Sequence, residues 1–209
     1  MPITIKQIGI VVFDGIERLD MEGPQGVFGW TSKISGVPFD FRILSKDGKP
    51  VRDHLTGRSI EVDGSTTDET RFDLLIVPGG NVGQFAGDKE LVKEIGRLSS
   101  ASSILVSVCT GAFLVAQTGL ADGRRMTTHW QFRAPFRHQF PRIILSDERY
   151  VTDGTLWSSA GVSAGIDLSL RLVAAFWGTD LAKRVQGALE YFPEPPFTRT
   201  EASYTSRIA

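Results

Sequence analysis

The chain has 209 residues, a formal net charge of −1 and an ordinary soluble composition, 41% hydrophobic, which suits one large α/β domain and gives no basic face for nucleic acid or an anionic membrane. No apolar run is long enough to span a bilayer, and "MPITIKQIGIVVF" has no basic leader, so a cytoplasmic location is the default expectation. The single cysteine, Cys109, excludes an internal disulfide and a multi-cysteine zinc site.

In chain order, Ile8 to Phe13 is a short continuous apolar run rich in β-branched residues, the pattern of a strand buried on both faces. Pro24 to Ile34 is read as a first helix, weakened by Gly26 and Gly29, and Phe39 to Ser45 alternates like a strand. Phe72 to Gly80 and Ser103 to Val108 repeat the buried-strand pattern. Between them Leu91, Val92, Ile95 and Leu98 recur at helical spacing, giving a strand–helix–strand unit with a right-handed crossover. A helix ended by Gly119 follows, then a short strand at Arg124 to Thr128 and a helix from Gln131 to Gln139, limited early by Pro135. Arg149 to Ser159 reads as a hairpin with Asp153-Gly154 at its turn. Gly161 to Trp177 and Thr179 to Glu190 are amphipathic helical stretches. The expectation is one α/β/α layered domain over residues 1–197, followed by a polar tail, 198–209, that is disordered or crosses to a dimer partner.

Functional groups of open parallel sheets collect beyond the carboxyl ends of the strands. Cys109 sits at such an end. Ser107, Cys109 and Gly111 have the small-x-nucleophile-x-Gly spacing of a strand-to-helix elbow, and the helix N-terminus favours a thiolate, lowering a free cysteine's pKa from about 8.5 to as little as about 3.5–7.5. A lone cysteine between apolar runs is equally read as a buried small hydrophobe, and the residues alone leave both readings open.

A nucleophilic thiol needs a proton manager. Asp14, Glu17, Asp20 and Glu22 follow the first strand; composition alone makes them a solvated loop, but Asp20, between Leu19 and Met21, is placed for local burial. It would meet the thiol if the first strand neighboured the Cys109 strand. Pro78-Gly79-Gly80 ends the middle strand and is either a plain turn or a set of amides able to hold developing negative charge. His129 is either a partner of Cys109 or a structural histidine beside Trp130. His54 and His138 complete no metal-ligand spacing. The loop Asn81 to Gly87 and the aromatics Phe28, Trp30 and Trp157 are candidates to shape a pocket.

"SVCTGAFLVAQTGLADGRRMTTHW" resembles the nucleophile region of the ThiJ/PfpI family of the class I glutamine amidotransferase-like superfamily. "LDMEGP", "IVPGG" and "SSAGVSAGIDLSLRLVA" resemble further family segments in order, and "RVQGALEYFPEPPF" is similar to the end of the isonitrile hydratase branch. The resemblance covers nearly all of residues 5–197. It implies a flavodoxin-like three-layer α/β/α sandwich with a mostly parallel sheet, a homodimer, a small-molecule substrate and no cofactor or metal. It implies Cys109 as nucleophile, Asp20 as the acid contacting the thiol, Thr110 as the residue following the nucleophile in that branch, and Gly79 and Gly80 as the backbone beside the sulfur. His129 occupies a position that some relatives use, and ranks below Asp20. The implied activity is hydration of an isonitrile to an N-substituted formamide through a covalent thioimidate. The Cys-Thr-Gly to Thr-Thr-His-Trp block also resembles the N-terminal domain of AraC-type regulators; with the chain ending at Ala209, no room is expected for a helix-turn-helix module. Other family chemistries, glyoxalase-like or thiol stress sensing, are further alternatives, and a peptidase would need His129 poised against Cys109.

Overall fold

The computed structural model describes residues 5–85 and 87–197, so the expected tail, 198–209, lies outside the described residues. The strands are β1 (Gln7–Val11), β2 (Asp40–Ser45), β3 (Val51–Arg52), β4 (Ser59–Ile60), β5 (Gly64–Ser65), β6 (Leu74–Val77), β7 (Ile104–Val108), β8 (Arg125–Met126), β9 (Ile144–Leu145), β10 (Tyr150–Asp153) and β11 (Leu156–Ser159). The α-helices are α1 (Arg18–Ser35), α2 (Val82–Phe85), α3 (Lys89–Ala101), α4 (Gly111–Gln117), α5 (Arg133–Gln139), α6 (Ala164–Trp177) and α7 (Thr179–Ala188). Seven strands form one sheet in the order β10-β11-β7-β6-β1-β2-β5, parallel throughout except for the β10–β11 pair. Helices α1, α6 and α7 pack together as one covering layer, and α3 with α4 forms the other, a flavodoxin-like α/β/α sandwich.

The apolar runs explain this placement. Every residue of β6 and β7 is buried, as is all of β1 after Gln7, because these strands lie at the centre of the sheet with helices on both faces. In α3, Leu91, Ile95 and Leu98 are buried at three- and four-residue spacing, and Asp88 caps its N-terminus by accepting the Leu91 N–H at 3.0 Å.

Several local expectations are corrected. Helix α1 begins at Arg18, six residues before Pro24, since Glu17 caps it by accepting the Leu19 N–H. Pro24 therefore lies inside the helix rather than at its start. The first strand does not neighbour the Cys109 strand: β6 lies between β1 and β7. The expected strand near Arg124 is only β8, paired with β9 outside the main sheet. The helix expected from Gln131 is divided into a 3-10 turn, Trp130–Phe132, and α5, with Pro135 tolerated in its first turn. The hairpin turn is Gly154-Thr155, because Asp153 already pairs with Leu156; Gly154 takes the positive φ of 56° that this two-residue turn demands.

Candidate functional site

Cys109 follows the last residue of β7 and has φ 58°, in the left-handed region that non-glycine residues seldom occupy. Three contacts hold it there. Its N–H is shared between the carbonyls of Ser159 and Ala160, each at 3.1 Å, and its carbonyl accepts from Thr128 Oγ1 at 2.9 Å. Gly111 makes the turn possible: a Cβ there would lie 2.2 Å from the Val77 carbonyl oxygen. The expected elbow is thus present, with its strain held by neighbouring backbone.

Asp20 reaches the same place by a different route from the one expected. It lies in the first turn of α1, fully buried, and α1 lays it over the turn that ends β6. Gly79 donates its N–H to Asp20 Oδ2 at 2.9 Å. The carboxyl is in side-chain contact with the Cys109 thiol, close enough for each to alter the other's titration. Asp20 Oδ1 is buried without a hydrogen-bond partner in the protein.

The electrostatics differ from the helix-terminus expectation. Burial pushes the Cys109 thiol well above its ordinary range, and the Asp20 carboxylate adds to that; the backbone N–H groups of Val162 and Thr110, facing the sulfur, pull the other way without prevailing. Burial likewise pushes Asp20 well above the usual carboxylate range, against the Gly79 N–H, while the nearby Glu17 charge adds to the rise. Burial therefore disfavours the charged form of each group, and a thiolate gains its stabilisation from the two amides facing the sulfur.

Gly79 and Gly80 sit where the sequence placed them, but their roles separate. Gly79 serves Asp20, and a Cβ on it would lie 2.5 Å from Thr110 Oγ1 and 2.9 Å from Asp20 Oδ2. Gly80 is tied to Thr110, whose hydroxyl both accepts the Gly80 N–H and donates to the Gly80 carbonyl. The amides facing the sulfur are those of Val162 and Thr110. Val162 was not singled out from the sequence, and its φ of 42° explains why. A β-branched residue in the left-handed region carries no local signature.

His129 is half-buried and packs on Gly161, where a Cβ would lie 2.1 Å from its ring. Its Nδ1 accepts the Gln131 N–H at 3.4 Å, and burial, then the Arg133 charge, lowers its pKa. It is therefore a neutral packing histidine here, with no hydrogen bond to Cys109. Among the other acids, Asp14 accepts the Arg52 N–H, Glu17 caps α1 and pairs with His54 at 2.9 Å, and Glu22 pairs with Arg18. Two pocket candidates are core residues instead: Phe28 packs with Phe39, Phe41 and Trp177, and Trp157 with Phe176. Trp30 carries Lys33 over its ring, and the Asn81–Gly87 stretch contains α2, whose Phe85 packs edge-on against Phe13. A cavity of about 560 Å³ is lined by Ser163, Arg149, Asp167, Tyr191 and the following Pro193–Pro195, starting one residue from Val162. A second, of about 410 Å³, lies at the far end of α4 from Cys109. Among the described residues no cluster of three or more His, Cys, Asp or Glu is placed to hold a metal ion, and no helix is long and apolar enough to cross a membrane.

The DJ-1/PfpI family model matches residues 6–175, a span that contains the elbow, the acid and the PGG turn. The chain belongs to the DJ-1/PfpI family. Among curated proteins it is 33% identical over 195 residues to an isonitrile hydratase of Pseudomonas putida, covering 91% of this chain and 81% of that one. It is also 35% identical over 147 residues to the HTH-type transcriptional regulator CdhR of Pseudomonas aeruginosa, covering 70% of this chain but only 44% of the regulator. Among solved structures, a ThiJ/PfpI family protein from Pseudomonas syringae superposes with a TM-score of 0.83 at 28% identity, covering 93% of this chain and 78% of that one. An AraC family regulator from Pseudomonas putida shares the fold, with a TM-score of 0.75 at 20% identity over 88% of this chain and 99% of that structure. This DJ-1/PfpI chain is therefore similar both to an enzyme and to regulators.

Proposed function

We propose that this chain is a cysteine-dependent hydratase that converts an isonitrile to an N-substituted formamide. The observation that carries the reading is the buried Asp20 carboxyl set against the Cys109 thiol, with the Val162 and Thr110 amides on the sulfur. A carboxyl pushed up by burial keeps its proton to higher pH than a free one, which suits it to deliver the proton that an isonitrile carbon requires. The similarity to an isonitrile hydratase supports the same reading.

The steps balance on this chain's own groups. Once the thiol has given its proton to solvent, the Cys109 thiolate attacks the terminal carbon of R–N≡C as the Asp20 carboxylic acid gives that carbon its proton, leaving a thioimidate, R–N=CH–S–Cys109, and the Asp20 carboxylate. Water then adds to the same carbon. One of its protons returns to Asp20, the other goes to nitrogen, and the C–S bond breaks to release R–NH–CHO and the thiolate. The amides of Val162 and Thr110 stabilise the sulfur whenever it carries charge, at the start and at the end of the cycle.

The experiment is incubation with an aryl isonitrile, following the formamide. Turnover that disappears in Cys109→Ala supports the reading, and no turnover by the native protein overturns it. A second reading, a ligand-sensing domain of regulator type, is favoured by the similarity to CdhR. It is preferred if aryl isonitriles bind, shifting Tm, without being consumed. A homodimer belongs to the first proposal and is checked by light scattering.

A further inference from the structure

One of the two N–H groups on the Cys109 sulfur, that of Val162, comes from outside the elbow. Its own backbone does not favour the position, since φ is 42° at a β-branched residue. The helix that follows holds the segment by its carbonyls, Ala164 and Gly165 donating their N–H groups to the Gly161 and Val162 carbonyls at 3.0 and 3.2 Å, but the side chain of Ser163, the N-cap of α6, makes no capping bond to its own first turn and is left for another partner. Arg149 grips both sides of the segment. On the near side its carbonyl accepts the Ala160 N–H at 2.8 Å. On the far side its guanidinium donates to Ser163 Oγ at 3.3 Å and to Asp167 Oδ2 at 2.9 Å from Nε and 2.6 Å from Nη2. The Tyr191 hydroxyl donates to the same Asp167 oxygen at 2.9 Å. Only Gly161 and Val162 lie between the two anchored points.

We infer that Arg149 is a positioning residue which, fastened through Ser163 and Asp167, fixes the Val162 N–H against the Cys109 sulfur and so sets the reactivity of the thiol. An ion pair as exposed as Arg149–Asp167 adds little to stability; its consequence is geometric. A rigid donor favours a charged sulfur only while it stays aimed at it. The inference concerns the thiol itself and does not depend on which substrate the thiol attacks.

The test is the pH dependence of iodoacetamide alkylation, which reports on one site because Cys109 is the only cysteine. Asp20 faces the thiol, Glu17 adds its charge behind Asp20, and His129 packs on Gly161; all three are left unchanged. Arg149→Met and Asp167→Ala remove charges of opposite sign. Simple electrostatics moves the Cys109 titration up in the first and down in the second. Positioning moves it up in both, by about one pH unit, so that alkylation at pH 7 slows about tenfold in each. Opposite shifts, or unchanged profiles in folded protein, overturn the inference. If either variant fails to fold, Tyr191→Phe removes one bond to Asp167 with no change of charge and is expected to slow alkylation about threefold, a shift of about half a unit; an unchanged profile there overturns the inference equally. Isonitrile turnover is measured separately, so loss of the hydratase reading and loss of this one are distinguished.

Discussion

Thr110 and Gly80 exchange two hydrogen bonds: the Gly80 N–H donates to Thr110 Oγ1 at 2.8 Å, and Thr110 Oγ1 donates to the Gly80 carbonyl at 2.9 Å. One buried hydroxyl thus joins the elbow after β7 to the turn after β6. The neighbouring Gly79 N–H of that turn holds Asp20. The sulfur and the carboxyl are kept in register by a residue whose side chain is bonded to backbone alone.

Replacing Thr110 by valine keeps the shape and removes both bonds. The Gly80 groups then lose a partner in a part-buried place, at a cost of about 1–3 kcal/mol, which for a chain of this size lowers Tm by roughly 2–12 °C. Thr110→Ser keeps the hydroxyl and is expected to stay close to the native melting curve. Differential scanning calorimetry checks the pair; a native-like Thr110→Val would show that the exchange carries no weight.

Asp20→Asn removes the proton donor while keeping the volume. Formamide production is expected to fall by about 10²–10⁴-fold. The same variant has a stability signature. A carboxyl raised on folding binds its proton more tightly in the native state, so its contribution is fully present below its unfolded value and is lost as pH rises toward its native value. From about pH 4 upward, chemical denaturation of the native protein should therefore lose stability relative to Asp20→Asn, with the difference growing until Asp20 ionises in the folded state. Parallel stability curves for the two proteins would show that the carboxyl is not raised.

The backbone at the elbow was legible because glycines and one thiol stood at fixed offsets; Gly111 is where the close approach to Val77 needs it. The central strands were legible from unbroken apolar runs. From the residues alone, the meeting of Asp20 and Cys109 was conditional on neighbouring strands, and that condition fails. The meeting depends instead on α1 starting at Arg18 and crossing the β6 turn, whereas strand order separates β1 from β7. Val162 was invisible because its role rests on backbone conformation and on Arg149, about a dozen residues away in sequence, and not on its side chain. The two-residue strands β3, β4, β5, β8 and β9 have too few residues for periodicity to register.

His129 is expected to matter less than Asp20. Its ring is neutral at pH 7, because burial lowers its pKa, and it packs against Gly161 instead of bonding the thiol. His129→Gln should cut turnover by less than tenfold, through small displacement of the Gly161–Val162 segment, and should leave the shape of the pH–rate profile unchanged. Loss of an ionisation from that profile would make His129 a proton carrier and contradict the packing role.

Two glycine-to-alanine changes separate space from backbone freedom. At Gly111 the new Cβ would meet the Val77 and Pro78 carbonyl oxygens at 2.2 and 2.6 Å. Backbone cannot yield as a side chain can, so β6 and the elbow must part, at a cost of about 1–3 kcal/mol or more. Because the displaced segment carries Cys109, iodoacetamide alkylation should change along with Tm. At Gly29, inside α1, a Cβ meets nothing within 4 Å. Alanine there gains helix propensity and should stabilise the protein by about 0.5–1 kcal/mol with no change at the thiol. If Gly111→Ala melts like the native protein, the elbow has slack that the short approach to Val77 does not allow, and the strain assigned to Cys109 would have to be released by a movement of β7 against β6.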